Sequence, residues 1–199
     1  VFFEIASTAI PIGKLSLLLK NKTFVSWLAK RSGKTVIEAE THLAEEILKN
    51  TPVESGVRRA FKKEAEGMGL TLTGAGPAKD EAGNAILNYT KGTKMHISKT
   101  ESSVWTLADE FGHAFGNKFG KGTYLPASVT KEGGAYWQIL KDLKKVKDTS
   151  LLSPSQNEMY HQFEILNYLK SGQKLPAVLE QNRGFLQKYT ENLINHGVK

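Results

Sequence analysis

The segment Trp105–Asn117 constrains this chain more than any other, because it sets three metal-capable side chains in an apolar helical pattern. Asp109, Glu110 and His113 lie within five residues. Residues four apart share one face of a helix, so Asp109 and His113 are placed to hold one ion between them. Glu110 lies beside them, where it can activate a water molecule on that ion. The segment therefore predicts a metal site on a buried helix.

The residues around these three groups indicate burial and close packing. Gly112 is expected to let another element approach, and Gly116 to end the helix. Polar groups in such surroundings need partners, which favours a site over the alternative of a chance D-E-x-x-H string on a solvated face. The apolar body of the predicted helix consists of Val104, Trp105, Leu107, Ala108, Phe111, Ala114 and Phe115.

The string from Asp109 to His113 resembles the His-Glu-x-x-His helix of the zincins, the zinc metallopeptidases, with Asp in place of the first His. The resemblance implies that Glu110 is the general base and that His113 is a zinc ligand, since both match the motif. Asp109 departs from the motif. It is a natural carboxylate ligand, a loss that leaves an inactive enzyme, or an engineered change, and the sequence leaves these three alternatives open.

A second helix supplies the candidate for the third ligand. Ser153–Ser155 is a helix-start signal, and a helix is predicted over residues 156–170. This segment resembles the second helix of bacterial metallopeptidase toxin and effector domains, including those attached to type VI secretion spike proteins and Rhs-type polymorphic toxins. The resemblance covers roughly residues 84–182. It implies that Glu158 is the third ligand of a Zn²⁺ ion.

Three further side chains are additional candidates for the same site. His161 lies one turn beyond Glu158, so the two can face one way, and it can substitute for the missing first His. Tyr160 is a candidate for oxyanion stabilisation. His96 lies in a predicted strand shortly before the motif helix, and it is either an ordinary strand residue or a pocket residue near the substrate.

The resemblance also implies a reaction, in which Zn²⁺ activates a water molecule and Glu110 takes its proton. A ligand set of Asp109, His113 and Glu158 has two carboxylates and one His. It is more anionic than the usual set of two His and one Glu, which is expected to weaken the Lewis acidity of the ion. The replacement of the first His by Asp109 is therefore expected to affect the activity more than the fold.

The pattern of apolar residues predicts an α+β fold. The chain has 199 residues, of which 40% are hydrophobic, enough for one domain with an N-terminal appendage. Helical periods dominate, and short alternating stretches at residues 70–73, 84–89 and 94–98 indicate strands. We expect a mostly helical, zincin-like domain with a small antiparallel sheet or hairpin before the metal-site helix. It occupies residues 51–199, after a helical lead-in segment at residues 1–50.

Composition limits the chemistry and the context. The chain has no cysteine, so a metal site must use His, Asp or Glu. No stretch has the ~18 uninterrupted apolar residues of a transmembrane helix. The apolar start, residues 1–19, lacks a basic region before it and is a poor signal peptide. The chain begins with Val, so we expect a fragment of a longer polypeptide or a processed product.

The net charge of +7 keeps other function classes open. The densest basic cluster, at residues 141–147, has no interleaved run of aromatics and indicates a solvated helix face, with a polyanion contact as the alternative. The rival hypotheses are a non-catalytic binding module on the zincin scaffold, a basic toxin domain that acts on nucleic acid, and a structural helical domain of a secretion or phage apparatus.

The toxin and effector resemblance has implications for partners and localisation. It implies a protein or peptide substrate, a cognate immunity protein, and a larger secreted polypeptide that carries the domain. It also implies secretion by a bacterium into a target cell.

Overall fold

The computed structural model describes residues 17–74, 76, 78–79, 82–146, 149 and 152–196. The predicted mostly helical α+β class is confirmed. The helices are α1 (Lys22–Ser32), α2 (Val36–Lys49), α3 (Ser55–Gly67), α4 (Val104–Phe119), α5 (Ala127–Thr130), α6 (Ala135–Val146), α7 (Pro154–Leu169), α8 (Ala177–Gln181) and α9 (Arg183–His196). The strands are β1 (Thr71–Thr73), β2 (Ala78–Lys79), β3 (Ala85–Ile86), β4 (Asn88–Lys91) and β5 (Lys94–Ile97). Within these described residues, no helix combines the length and the apolar character needed to span a membrane.

The sheet in front of α4 is mixed rather than purely antiparallel. The predicted hairpin is present, since β4 pairs antiparallel with β5. On its other side β5 pairs in parallel with β1, which gives the strand order β1-β5-β4. A parallel neighbour requires a long connection, and the residues between β1 and β4 provide it. That connection includes β2 and β3, which form a small antiparallel pair of their own, and β3 lies within the stretch 84–89 that was predicted as a strand.

The motif helix α4 lies at the centre of the core. It packs against α7, α2 and the strands β4 and β5. The ring of Phe111 contacts those of Phe61 and Tyr168 at centroid distances of 6.0 and 5.1 Å. The helix begins at the cap Ser103 and ends at Gly120, which has a φ of 105°. The prediction that the helix ends at Gly116 was wrong.

Helix α2, which lies in the predicted lead-in segment, belongs to the same core as α4. Leu43, Ala44, Ile47 and Leu48 are buried in one cluster with the apolar side chains of α4 and α9. The helix is fixed at its start by a capping box between Thr35 and Glu38. The predicted boundary at residue 50 therefore falls between two helices that share a core.

The predicted helix boundaries near the site are close to the observed ones. Helix α7 begins at Pro154, one residue after the cap Ser153, which forms a capping box with Gln156. The C-terminal residues, whose apolar pattern predicts one helix over residues 179–196, are instead divided into α8 and α9. The division falls at Asn182, whose side chain donates to the carbonyl of Val178.

Candidate metal centre

Helices α4 and α7 bring Asp109, His113 and His161 together. One ligand atom from each residue lies within 4.8 Å of the other two. Oδ1 of Asp109 lies 3.9 Å from Nε2 of His113 and 2.5 Å from Nδ1 of His161. All three side chains are half-buried. The pair predicted from the one-turn spacing on α4 is therefore present, and α7 completes a cluster that could bind a metal ion.

The buried positions of these atoms are compatible with a shared ion. Oδ1 of Asp109 and Nδ1 of His161 are in close contact at 2.5 Å, and neither has a well-aligned hydrogen bond to another described group. Burial raises the pKa of Asp109, but the neighbouring His161 and His113 outweigh it and lower that pKa, so the carboxylate is ionised. Two imidazoles and one carboxylate form a donor set of catalytic zinc sites. The residues therefore fit a bound metal ion.

Two glycines on α4 allow the close approach of α7. A Cβ atom at Gly112 would lie 3.3 Å from Cβ of Glu164, so the close approach predicted at this glycine is confirmed. At Gly116 an added Cβ would lie 3.4 Å from Oε1 of Glu164 and 3.2 Å from Cγ of Lys121. Gly116 thus makes room for a buried carboxylate.

That carboxylate lies directly behind His113. Glu164 is only 1% exposed, and its Oε2 contacts Nδ1 of His113, while Nε2 of the same ring faces Asp109. Burial opposes the charged imidazole, but the negative charge of Glu164 outweighs it and raises the pKa of His113 to about 9. Nζ of Lys121 lies 3.5 Å from Oε1 of Glu164. A carboxylate in this position fixes the orientation and tautomer of a metal-binding imidazole.

Sequence analysis assigned no role to Glu164. The available signal was its spacing, since it follows His161 by three residues and so lies on the same face of α7. Its partner His113 lies on another helix, so the pairing depends on tertiary packing. No local pattern in the sequence links these two residues.

Glu110 is a buried carboxyl beside the cluster. Its side chain is 6% exposed. Oγ1 of Thr90, on strand β4, donates to Oε2 of Glu110 at 2.5 Å. Burial raises the pKa of Glu110 to about 7, and the hydrogen bond from Thr90 limits the rise. A carboxyl that titrates near neutrality is suited to accept and return a proton.

Glu158 does not belong to the cluster. Its Oε1 accepts hydrogen bonds from Nε2 of Gln162 at 2.6 Å and from the hydroxyl of Tyr189 at 3.0 Å. The side chain thus reaches α9 rather than α4. Its contacts give no support to the prediction that Glu158 is the third ligand. His161, the additional candidate on the same helix, belongs to the cluster instead.

The other two additional candidates lie outside the cluster as well. The hydroxyl of Tyr160 contacts Nζ of Lys121, and its fully buried ring stacks on His113 with centroids 5.9 Å apart. Through this stacking the Tyr160 ring packs against the His113 imidazole. His96 stacks on Tyr89, its cross-strand partner, with centroids 5.0 Å apart. Nε2 of the same ring lies 3.1 Å from the carbonyl oxygen of Gly76, so its contacts are with the sheet and with the loop after β1.

Comparisons with protein-family models, with curated proteins and with solved structures give no significant match. The geometry of the cluster is therefore the guide to function.

Proposed function

We propose that this domain is a zinc-dependent hydrolase in which Asp109, His113 and His161 hold the ion and Glu110 is the general base. The observation that carries the proposal is the convergence of these three donors beside a buried carboxyl. Two His and one carboxylate leave a fourth position for water or substrate. With His161 in place of Glu158, the ligand set has the charge of the usual catalytic set. This set therefore lacks the extra negative charge of the set Asp109, His113 and Glu158 that the resemblance implied.

The side chains around the ion have distinct roles in this proposal. When bound, Zn²⁺ supplies Lewis-acid chemistry, because it activates water and polarises a carbonyl group. Glu110 accepts a proton on its carboxylate and returns it to the leaving group. Thr90 holds the Glu110 carboxylate in position by its hydrogen bond. Glu164 holds the imidazole of His113 from behind.

Strand β4 favours a peptide as the substrate. It is an outer strand of the described three-stranded sheet, in the order β1-β5-β4. It also carries Thr90, which contacts Glu110, so this edge of the sheet lies at the candidate site. An edge strand presents backbone N–H and C=O groups that can pair with an extended peptide. These features support a peptidase, the activity expected from the zincin resemblance.

Metal content is the first test. Elemental analysis of the untagged protein should find about one zinc per chain. The zinc should be lost in His161→Ala and His113→Ala and kept in His96→Ala, which removes a histidine outside the cluster. Absence of metal after incubation with excess zinc would overturn the proposal. Glu110→Gln should keep the zinc but abolish cleavage of a peptide library, whereas cleavage by this variant at the wild-type rate would rule out the general-base role.

A bacterial effector role is the more specific part of the proposal, and the resemblance in sequence supports it. The domain would then act on proteins of a target cell and be neutralised by an immunity protein in the producing cell. The wild-type domain should arrest growth when expressed in a bacterial host, in the cytoplasm or after export, and Glu110→Gln should not. If the purified protein cleaves peptides but growth is normal in both compartments, the effector role fails and the hydrolase remains.

A further inference from the structure

A basic cavity of about 430 Å³ lies between the first turns of α3, the end of β1 and the residues after β5. Its size is within the range of small-molecule pockets. Among the described residues, its charged lining consists of four cations and no carboxylate: Arg58, Arg59, Lys62 and Lys99. Such a concentration of one sign of charge in a concave surface favours an anionic ligand.

Arg58 is the buried member of this group, only 9% exposed. Its guanidinium donates to Oγ of Ser102 at 2.6 Å, to the carbonyl of Gly74 at 3.1 Å and to the carbonyl of Ile97. These acceptors are neutral and use three of the five donors of a guanidinium. Among the described residues no carboxylate pairs with this buried cation, so its burial carries a desolvation cost. Burial correspondingly lowers the pKa of Arg58.

The start of helix α3 adds to the positive potential of the cavity. Ser55, the first residue of the helix, lines the cavity. The preceding residue, Glu54, makes no capping hydrogen bond with its side chain, and the first turn contains no acidic residue. The free N–H groups and the positive end of the helix dipole thus meet Arg58 and Arg59. Glu54 places one carboxylate at this helix end, and a bound anion would add a second favourable charge beside Arg58 and Arg59.

We propose that this cavity binds a small soluble anion with two or three phosphate groups. Four cations line the 430 Å³ cavity, of which Lys62 also pairs with Glu66 at 3.8 Å, and a chain of phosphates can reach several of them whereas one phosphate cannot. Arg58 lines the cavity and also donates to the end of β5 and to Ser102, next to the cap of α4. An anion there stabilises the junction of these elements. The inference is independent of the proposed hydrolase function.

Calorimetric titration with sodium tripolyphosphate at fixed ionic strength tests the site. The wild-type protein should bind one equivalent. The variant Arg59→Gln/Lys62→Gln/Lys99→Gln, which alters three exposed side chains, should bind at least tenfold more weakly. The matched control is Lys141→Gln/Lys144→Gln/Lys145→Gln, which loses the same charge elsewhere and should change the affinity less than twofold. The control also corrects for metal removed by the triphosphate, since this is the same in both variants.

A thermal melt provides a second measurement. Tripolyphosphate should raise the melting temperature of the wild type and of the control variant but not that of the cavity variant. The proposal fails if the wild type shows no saturable binding, or if both variants lose affinity equally, which would indicate net charge alone. It also fails if a duplex oligonucleotide binds through Arg59, Lys62 and Lys99 while tripolyphosphate does not, because the surface would then recognise nucleic acid.

Discussion

Nδ1 of His161 lies 2.5 Å from Oδ1 of Asp109, although the two residues belong to different helices. This contact selects His161 as the third donor of the cluster over Glu158, one turn earlier on α7. His161→Ala should weaken zinc binding by roughly 100-fold or more, since a ligand is lost, whereas Glu158→Ala should leave it within about threefold. Competition with a chromophoric chelator measures both. The opposite order of effects would restore Glu158 as the ligand.

The variant Glu164→Gln tests whether the Glu164 carboxylate orients the imidazole of His113 for metal binding. Glu164→Gln keeps the size of the side chain but removes the charge that faces Nδ1 of His113. Zinc affinity should fall about 10- to 100-fold, as for other groups that orient a metal-binding imidazole. In the metal-free protein the pKa of His113 should drop from about 9, because burial would then act without the opposing carboxylate. Histidine NMR titration measures this shift, and an unchanged pKa would contradict the role.

The hydrogen bond from Thr90 to Glu110 predicts a change in pH dependence. The bond favours the ionised carboxylate, so Thr90→Val should raise the pKa of Glu110 above about 7. Glu110 must be deprotonated to act as a base, so activity is lost as the pH falls through this pKa. The acidic limb of the rate profile should therefore move to higher pH, with metal content unchanged. Thr93→Val, near the turn of the same hairpin, should leave the profile in place.

The narrow gap at Gly112 predicts sensitivity to a single methyl group. Gly112→Ala places a Cβ atom 3.3 Å from Cβ of Glu164, so α7 must shift. We expect a loss of about 1–3 kcal/mol in the free energy of unfolding, as for other overpacked sites, together with weaker zinc binding. The control is Gly184→Ala on α9, where an added Cβ meets nothing within 4 Å. A wild-type unfolding curve for Gly112→Ala would show that the helices are not closely packed there.

Leu48 tests whether residues 1–50 are a separate lead-in segment. Its side chain is wholly buried in the cluster that includes α4. Leu48→Ala should lower the free energy of unfolding by about 2–5 kcal/mol in one cooperative transition. Ile37→Ala, on the same helix but 36% exposed, should cost much less. A small effect at Leu48, or a separate early transition, would support a lead-in segment that is independent of the domain.

The sequence predicted the parts of the fold that depend on local spacing. The pairing of Asp109 with His113 follows from the helix period, and the start of α7 follows from the cap at Ser153. The choice between Glu158 and His161 depends on which face of α7 meets α4. That face is set by the packing at Gly112, which involves residues far apart in the chain. The parallel pairing of β5 with β1 was not predicted, because it also joins residues far apart in the chain.

The division of the donors between α4 and α7 has a practical consequence. An ion bound by Asp109, His113 and His161 would cross-link two segments that separate on unfolding, so its binding free energy would add to the stability of the fold. The melting temperature would then rise with free zinc and fall with chelator. Occupancy of the centre could be followed in this way before any substrate is known.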